Sequence, residues 1–404
     1  MTLRHYATWQ ADYRIIGKSR FLMKILFLIR SLAGGGAERQ IVALTKGLVT
    51  RGIDVSIAVL CSGGIFERDL KDSGVRVIDL RKRTKWDYLA IFFRLRNIIR
   101  TDKPDVVHGY MWDSNVMVAL LAKSVRPGKV IFGIRASNLD GWQYGLVSMV
   151  LIKIEAYLAA LADHVICNSQ AGASEVIKRN FPKDRVVVIP NGVDTKKFSP
   201  DHRAGVAQRK EWGIPESSKI IGMVARIDPM KDHDNFLRAA AIVHAQESDI
   251  HFVCIGNDTD SKKIDELLNN AKRKGIQKHL HFFPESDDIP TVMNAFDILC
   301  LPSAFGEGFP NVLAEAMACE TTCVATDVGD AAQIIADCGR IVPTKSPRDL
   351  AEALVCQLNA IDEPTDNLGV KSRLRIKKMY SLDRLEERTA SLFKSGEIKT
   401  KRKK

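Results

Sequence analysis

Arg226-Ile227-Asp228-Pro229-Met230-Lys231 and, about eighty residues later, Phe305-Gly306-Glu307-Gly308-Phe309-Pro310-Asn311-Val312-Leu313-Ala314-Glu315 are the stretches on which the fold turns. The first follows an apolar run, Lys219–Val224, that reads as a strand, and it sets two cations just beyond the strand's end. The second sets two carboxylates, Glu307 and Glu315, around the start of a helix. Pro310 suits the first helical position, where no amide proton is needed and φ is preset. On that placement Glu307 lies in the loop before the helix and Glu315 about one and a half turns inside it. The free amides of such a terminus attract anions. Arg and Lys suit a diphosphate and paired carboxylates suit sugar hydroxyls, so the set fits a nucleotide sugar.

Outward from these stretches the chain alternates strands and helices. Runs at 25–29, 55–60, 75–80, 105–109, 130–134, 164–168 and 185–189 are rich in Val, Ile and Leu and bounded by turn residues. A helix is expected over 37–50, with Ile41, Leu44 and Leu48 on one face. Pro190–Ser218 breaks the rhythm with Asn191-Gly192, Pro200 and Pro215 and is the expected domain boundary. A second set of strands follows at 220–225, 250–255, 279–283, 297–301, 321–326 and 339–343. Ser381–Phe393 reads as a last helix capped by Ser381. The expected architecture is α/β: two Rossmann-like halves, each a parallel sheet covered on both faces, with a ligand at the carboxyl ends of the strands.

The 404 residues allow two or three domains. Apolar content of 46% and charged content of 27% fit soluble globular domains. A net charge of +12 points to an anionic partner without choosing among phosphorylated sugars, anionic lipid and nucleic acid. Nucleic acid is disfavoured because no base-reading module is visible. Five of the eight Cys (61, 167, 254, 300 and 323) fall in or at the ends of expected strands and read as reduced core thiols. No signal peptide or membrane span is evident, so a cytoplasmic location is expected. Residues 1–22 read as a loose extension before Met23.

Gly34-Gly35-Gly36-Ala37-Glu38-Arg39 lies between the first strand and its helix, where glycines let the backbone approach a phosphate. The dinucleotide fingerprint would need glycine where Arg39 stands, which argues against NAD. Asp258-Thr259-Asp260 has the spacing of a metal-binding Asp-x-Asp but reads as loop acids, and no catalytic metal is expected. The stretch 81–96 mixes Arg81, Lys82, Arg83 and Lys85 with Trp86, Tyr88, Phe92 and Phe93 on an expected helix. It suits an anionic membrane surface, with the basic tail 395–404 adding attraction; alternatively Phe92 and Phe93 belong to the core.

The pattern of Arg226, Lys231, Glu307, Glu315 and the glycine loop resembles the family 4 glycosyltransferases, retaining enzymes of the GT-B fold, over about 23–393. The resemblance implies an N-terminal, acceptor-side domain over 23–197, a nucleotide-sugar domain over 198–378 and a crossover helix over 379–394 that returns to the first domain. It implies catalytic roles for Arg226, Lys231 and Glu307, with the cations holding the donor diphosphate and Glu307 near the reacting carbon. Glu315 would bind the ribose, and Gly35, Gly36, Gly308, Phe309, Pro310 and Asn311 would line the donor site. Glu38, His108 and Arg135 would border the acceptor.

Three positions depart from the family. Arg135 stands where relatives carry histidine, so a histidine-dependent role does not carry over. Glu320-Thr321-Thr322 replaces Gly-Thr-Pro, and Pro284 replaces a glycine near the base pocket. The function implied is transfer of a sugar from a nucleotide diphosphate, UDP by default, to a glycan or lipid-linked acceptor in bacterial surface polysaccharide or lipopolysaccharide assembly. A nucleotide-sugar epimerase of the same fold and a membrane-bound scaffold with a degraded site are the alternatives.

Overall fold

The computed structural model describes residues 23–84, 87–125, 128–135, 145–256, 261–363 and 367–395. The extension 1–22, Lys85, Trp86, the Asp258/Asp260 pair and the tail beyond Ser395 lie outside the described residues.

The first half runs β1 (Lys24–Ile29), α1 (Gly36–Thr50), β2 (Asp54–Val59), β3 (Arg76–Asp79), α2 (Tyr88–Asp102), β4 (Val106–Tyr110), α3 (Trp112–Val125), β5 (Lys129–Ile134), α4 (Gly145–Leu158), β6 (His164–Cys167), α5 (Gln170–Lys178) and β7 (Val186–Val188). The second runs α6 (His202–Glu211), β8 (Lys219–Val224), α7 (His233–Gln246), β9 (Ile250–Ile255), α8 (Ser261–Arg273), β10 (Leu280–Phe283), α9 (Ile289–Ala295), β11 (Ile298–Leu301), α10 (Asn311–Ala318), β12 (Thr322–Thr326), α11 (Ala331–Ile335), β13 (Gly339–Val342), α12 (Pro347–Asp362), α13 (Leu368–Met379) and α14 (Leu382–Lys394).

The strands form two parallel sheets, ordered β3-β2-β1-β4-β5-β6-β7 and β10-β9-β8-β11-β12-β13. Every described strand pair is parallel, so the connections within each sheet are crossovers; all but that from β2 to β3, which carries only a 3-10 turn at Ile65–Leu70, lay an α-helix on a face of the sheet. Central strands are therefore buried on both faces: β1 has five buried residues of six and β12 all five. Chain order reverses between β1 and β4 in the first sheet and between β8 and β11 in the second. Loops diverge at such switch points and leave a crevice at the strand ends.

The last helix crosses back. Leu385, Ala390 and Phe393 of α14 join the core of the first sheet, with Phe393 1% exposed. Arg51 at the end of α1 donates to Glu386 over 2.9 Å. That carboxylate lies where a Cβ on Gly47 would stand, 1.9 Å away, so α1 and α14 approach this closely only over glycine. Ser381 holds the N-cap position, but its side chain makes no capping bond; its carbonyl accepts from Arg384 and Leu385 instead. The two passages between the sheets run side by side: Val193 N–H donates to the Tyr380 carbonyl, and Leu382 N–H donates to the Val193 carbonyl, each over 2.8 Å.

Candidate active site

The second switch point carries the two stretches that opened the sequence. Beyond β8, Arg226 is exposed and makes no ion pair among the described residues. A 3-10 turn, Pro229–Lys231, follows, set by Asp228, whose side chain accepts from Met230 N–H. Asp232 then caps α7 from a left-handed φ of 49°. Lys231 is aimed back across the sheet end and pairs with Glu307 over 2.5 Å.

Glu307 is 7% exposed and also accepts from Ser303 Oγ over 2.7 Å. A buried carboxylate needs both a counter-charge and a donor, and it has them. The two loops are tied by Ala304 N–H to the Met230 carbonyl, 2.8 Å. Gly306 turns between them at φ 82°, and a Cβ there would meet Met230 Sδ at 2.7 Å.

Helix α10 begins at Asn311, so Pro310 holds the N-cap position, one residue earlier than its preset φ suggests, with extended ψ 96°. Glu315 is accordingly one turn inside the helix. It is 6% exposed, and burial raises its pKa while Arg39 and Lys197 oppose the rise. Arg39 reaches it from the other domain over 3.4 Å.

The glycine loop closes the site from the first domain. Gly34 and Gly35 have φ of 152° and 145°. A Cβ on Gly35 would lie 2.5 Å from the Glu38 carboxylate, and one on Gly36 would lie 2.9 Å from Asn311 Nδ2. The start of α1 thus rests against the start of α10, and Asn191 Nδ2 donates to Asn311 Oδ1 there. Burial raises the pKa of Glu38, with Arg226 across the cleft pulling the other way. Gly308 and Phe309 are buried beneath this contact.

Arg135 follows β5 directly, with its guanidinium 4.0 Å from the centre of the Tyr110 ring. His108 is not brought to the cleft. Strand alternation turns it inward, where it is fully buried among Phe27, Tyr110 and Phe393. Burial and Arg135 hold its pKa well below the ordinary range, so it is a neutral ring within the core.

Sequence reasoning did not find Ser303, Tyr110, the ion-pairing role of Arg39, or Asp330. Asp330 lies beyond β12 and accepts from Gln170 and Ala171 N–H at the first turn of α5, over 2.8 and 3.0 Å, linking the domains. Glu320 takes the left-handed φ of 67° that the replaced glycine implied. It follows the C-terminal end of α10, with the Arg373 guanidinium 4.0 Å away.

The chain matches two family profiles end to end: Glycosyltransferase Family 4 over 34–197 and Glycosyl transferases group 1 over 206–361. It is 24% identical over 307 residues to a putative glycosyltransferase, EpsF, of Bacillus subtilis, covering 75% of this chain and 79% of that one. It is 25% identical over 238 residues to the UDP-Gal:alpha-D-GlcNAc-diphosphoundecaprenol alpha-1,3-galactosyltransferase of Escherichia coli, covering 58% and 60%. The chain spans less than two thirds of that enzyme and of several other curated relatives it matches. Among solved structures, Anabaena HepE in complex with UDP superposes with a TM-score of 0.82 at 20% identity, over 93% of this chain and all of that one.

Proposed function

Since the chain belongs to the family 4 glycosyltransferases and has their GT-B fold, we propose that it transfers a hexose, with retention, from a UDP-sugar to a hydroxyl of a lipid-linked glycan acceptor in bacterial surface polysaccharide assembly. The observation that carries this reading is the second switch point, where Arg226, Lys231, Ser303 and Glu307 gather within two tied loops and Glu315 follows one helical turn on. The relatives' names support the donor and acceptor classes: a UDP complex in one, a diphosphate-linked lipid acceptor in another.

In this reading Arg226 and Lys231 hold the donor diphosphate. Arg226 is free to bind bidentately, and Lys231 exchanges part of its pairing with Glu307 for the phosphate. Glu307 and the amides before α10 orient the sugar, and Glu315, released from Arg39, takes the ribose hydroxyls. The anomeric carbon–oxygen bond to the diphosphate breaks, and the acceptor oxygen bonds to the same face. The acceptor proton passes to the departing diphosphate oxygen. Glu38 and Arg135 border the acceptor, and the cationic stretch 81–96 places the protein on the inner face of an anionic membrane; among the described residues no helix is long and apolar enough to cross one.

Thermal unfolding with UDP, GDP, ADP and NAD tests the donor class. At about a hundred times its dissociation constant UDP should add roughly 2.7 kcal/mol of stability, and NAD nothing. Arg226→Ala and Lys231→Ala should each lower turnover by about a hundredfold or more. Full turnover by both variants would sink the reading.

A further inference from the structure

One strand beyond the first switch point, Arg135 carries a guanidinium that forms no ion pair among the described residues. Its Nε is shut off from solvent and has no hydrogen-bond partner among them. We propose that Arg135 binds the carboxylate of a hexuronate, one of the two sugars joined in the reaction. This rests on the glycosyltransferase reading above and narrows the sugar at that site.

The groups whose charge acts most on Arg135 are the Tyr110 phenol and the Cys167 thiol. Burial raises the pKa of both, that of Cys167 to about 12, so neither is an anion near neutral pH. A guanidinium keeps its proton in such a place, and a buried charge needs an opposite one. The anion must then come with the substrates. Arg226 and Lys231, on the other domain, already answer the donor diphosphate, and a neutral hexose supplies no second anion.

Geometry favours a carboxylate. The Tyr110 ring takes one side of the guanidinium, which leaves its N–H edge. Nε and the adjacent Nη form the fork that meets a planar carboxylate with two parallel bonds. Asn168, just past β6, adjoins this edge: its Nδ2 lies 3.5 Å from the Arg135 carbonyl, and its Oδ1 is buried without a partner among the described residues. A cation lacking a carboxylate and an acceptor lacking a hydroxyl therefore stand side by side, and an acidic sugar carries both complements on one ring. The pair belongs to the same cleft as the donor loops. Glu38 of the glycine loop acts on Tyr110 from one side and is itself acted on by Arg226 from the other.

Calorimetric titration of the full chain tests this in two arms. UDP-glucuronate and UDP-galacturonate are compared with UDP-glucose and UDP-galactose. Methyl glucuronide and methyl galacturonide are compared with the matching neutral methyl glycosides on UDP-saturated protein, with glucose 6-phosphate as a different anion. In one arm an acid should bind about tenfold or more tighter than its neutral partner. A preference among nucleotide sugars assigns the carboxylate to the donor; one among methyl glycosides assigns it to the acceptor. Arg135→Gln should bring the ratio to about one, and Arg135→Lys, a point charge without the fork, should lower it. No preference in either arm, a preference that survives Arg135→Gln, or tighter binding of glucose 6-phosphate than of the hexuronides overturns the proposal. If Arg135→Gln does not fold, Arg135→Lys decides by whether the ratio falls. A parent that binds no UDP fails the donor reading and takes this one with it; UDP binding without acid preference fails this one alone.

Discussion

Gly329 holds the Glu307 loop from behind, and replacing it tests whether Glu307 is placed by backbone packing. Its φ is 63°, and a Cβ there would lie 2.4 Å from the Glu307 carbonyl oxygen and 2.6 Å from that of Gly308. Gly213 has a similar φ of 70° with nothing within 4 Å of its would-be Cβ. Alanine at either site costs about 1–2 kcal/mol for left-handed backbone, partly offset by about 0.4–1 kcal/mol from the stiffer unfolded chain. Gly213→Ala should therefore lose about 1 kcal/mol in urea unfolding, and Gly329→Ala about 1–3 kcal/mol more for its overlap with the carbonyls. Only Gly329→Ala must also move backbone: ordinary contact requires the Glu307 peptide to retreat by about 1 Å, taking its carboxylate off Lys231 and Ser303. A misplacement of that size costs on the order of a hundredfold in rate. UDP release from a UDP-sugar would be followed for both. Gly213→Ala should keep its turnover and Gly329→Ala lose it. If Gly329→Ala stayed within a few-fold of the parent, the position of the Glu307 backbone would not matter to the chemistry.

Glu155 is buried on α4, accepts from Asn115 over 2.6 Å, and has its pKa pushed by burial to about 7. A carboxyl raised in the folded state contributes its full stability below the ordinary value near 4.5 and loses it as pH rises through about 7. Relative to Glu155→Gln, which keeps the bond to Asn115, the parent should lose about 3 kcal/mol between those pH values; parallel stability curves would show that Glu155 does not titrate there. Gly47→Ala should destabilise by about 1–2 kcal/mol through its overlap with Glu386, despite better helix propensity. Adding Glu386→Ala should recover most of that loss in urea unfolding, whereas strictly additive effects would refute the close contact of α1 with α14.

The strands were legible because a parallel sheet buried on both faces demands unbroken apolar runs, and those runs occur from Ile25–Ile29 to Ile341–Val342 with turn residues between them. Arg226, Lys231, Glu307 and Glu315 were legible because switch-point loops follow strands directly. What stayed hidden depends on how the halves meet. Arg39 with Glu315, Asn191 with Asn311, and Asp330 with α5 join residues more than a hundred positions apart, across a cleft that no local period encodes. Pro310 sits at the cap rather than at the first helical position because its own ψ of 96° is extended. His108 read as a strand-end group and is a core ring, since the strand runs on to Tyr110 and alternation decides its side. Phe92 and Phe93 divided: Phe92 packs against the core, and Phe93 faces outward.

The return of α14 gives the molecule two spans between its halves, and the bonds from Val193 to Tyr380 and Leu382 lash them together. A single tether would let one half swivel and twist on the other. Paired tethers act like the leaves of a door hinge, leaving bending about one line as the easy motion and resisting torsion. Loops set on opposite halves, such as those of Arg39 and Glu315, then swing apart and return along the same arc, so each closure restores the same register between them.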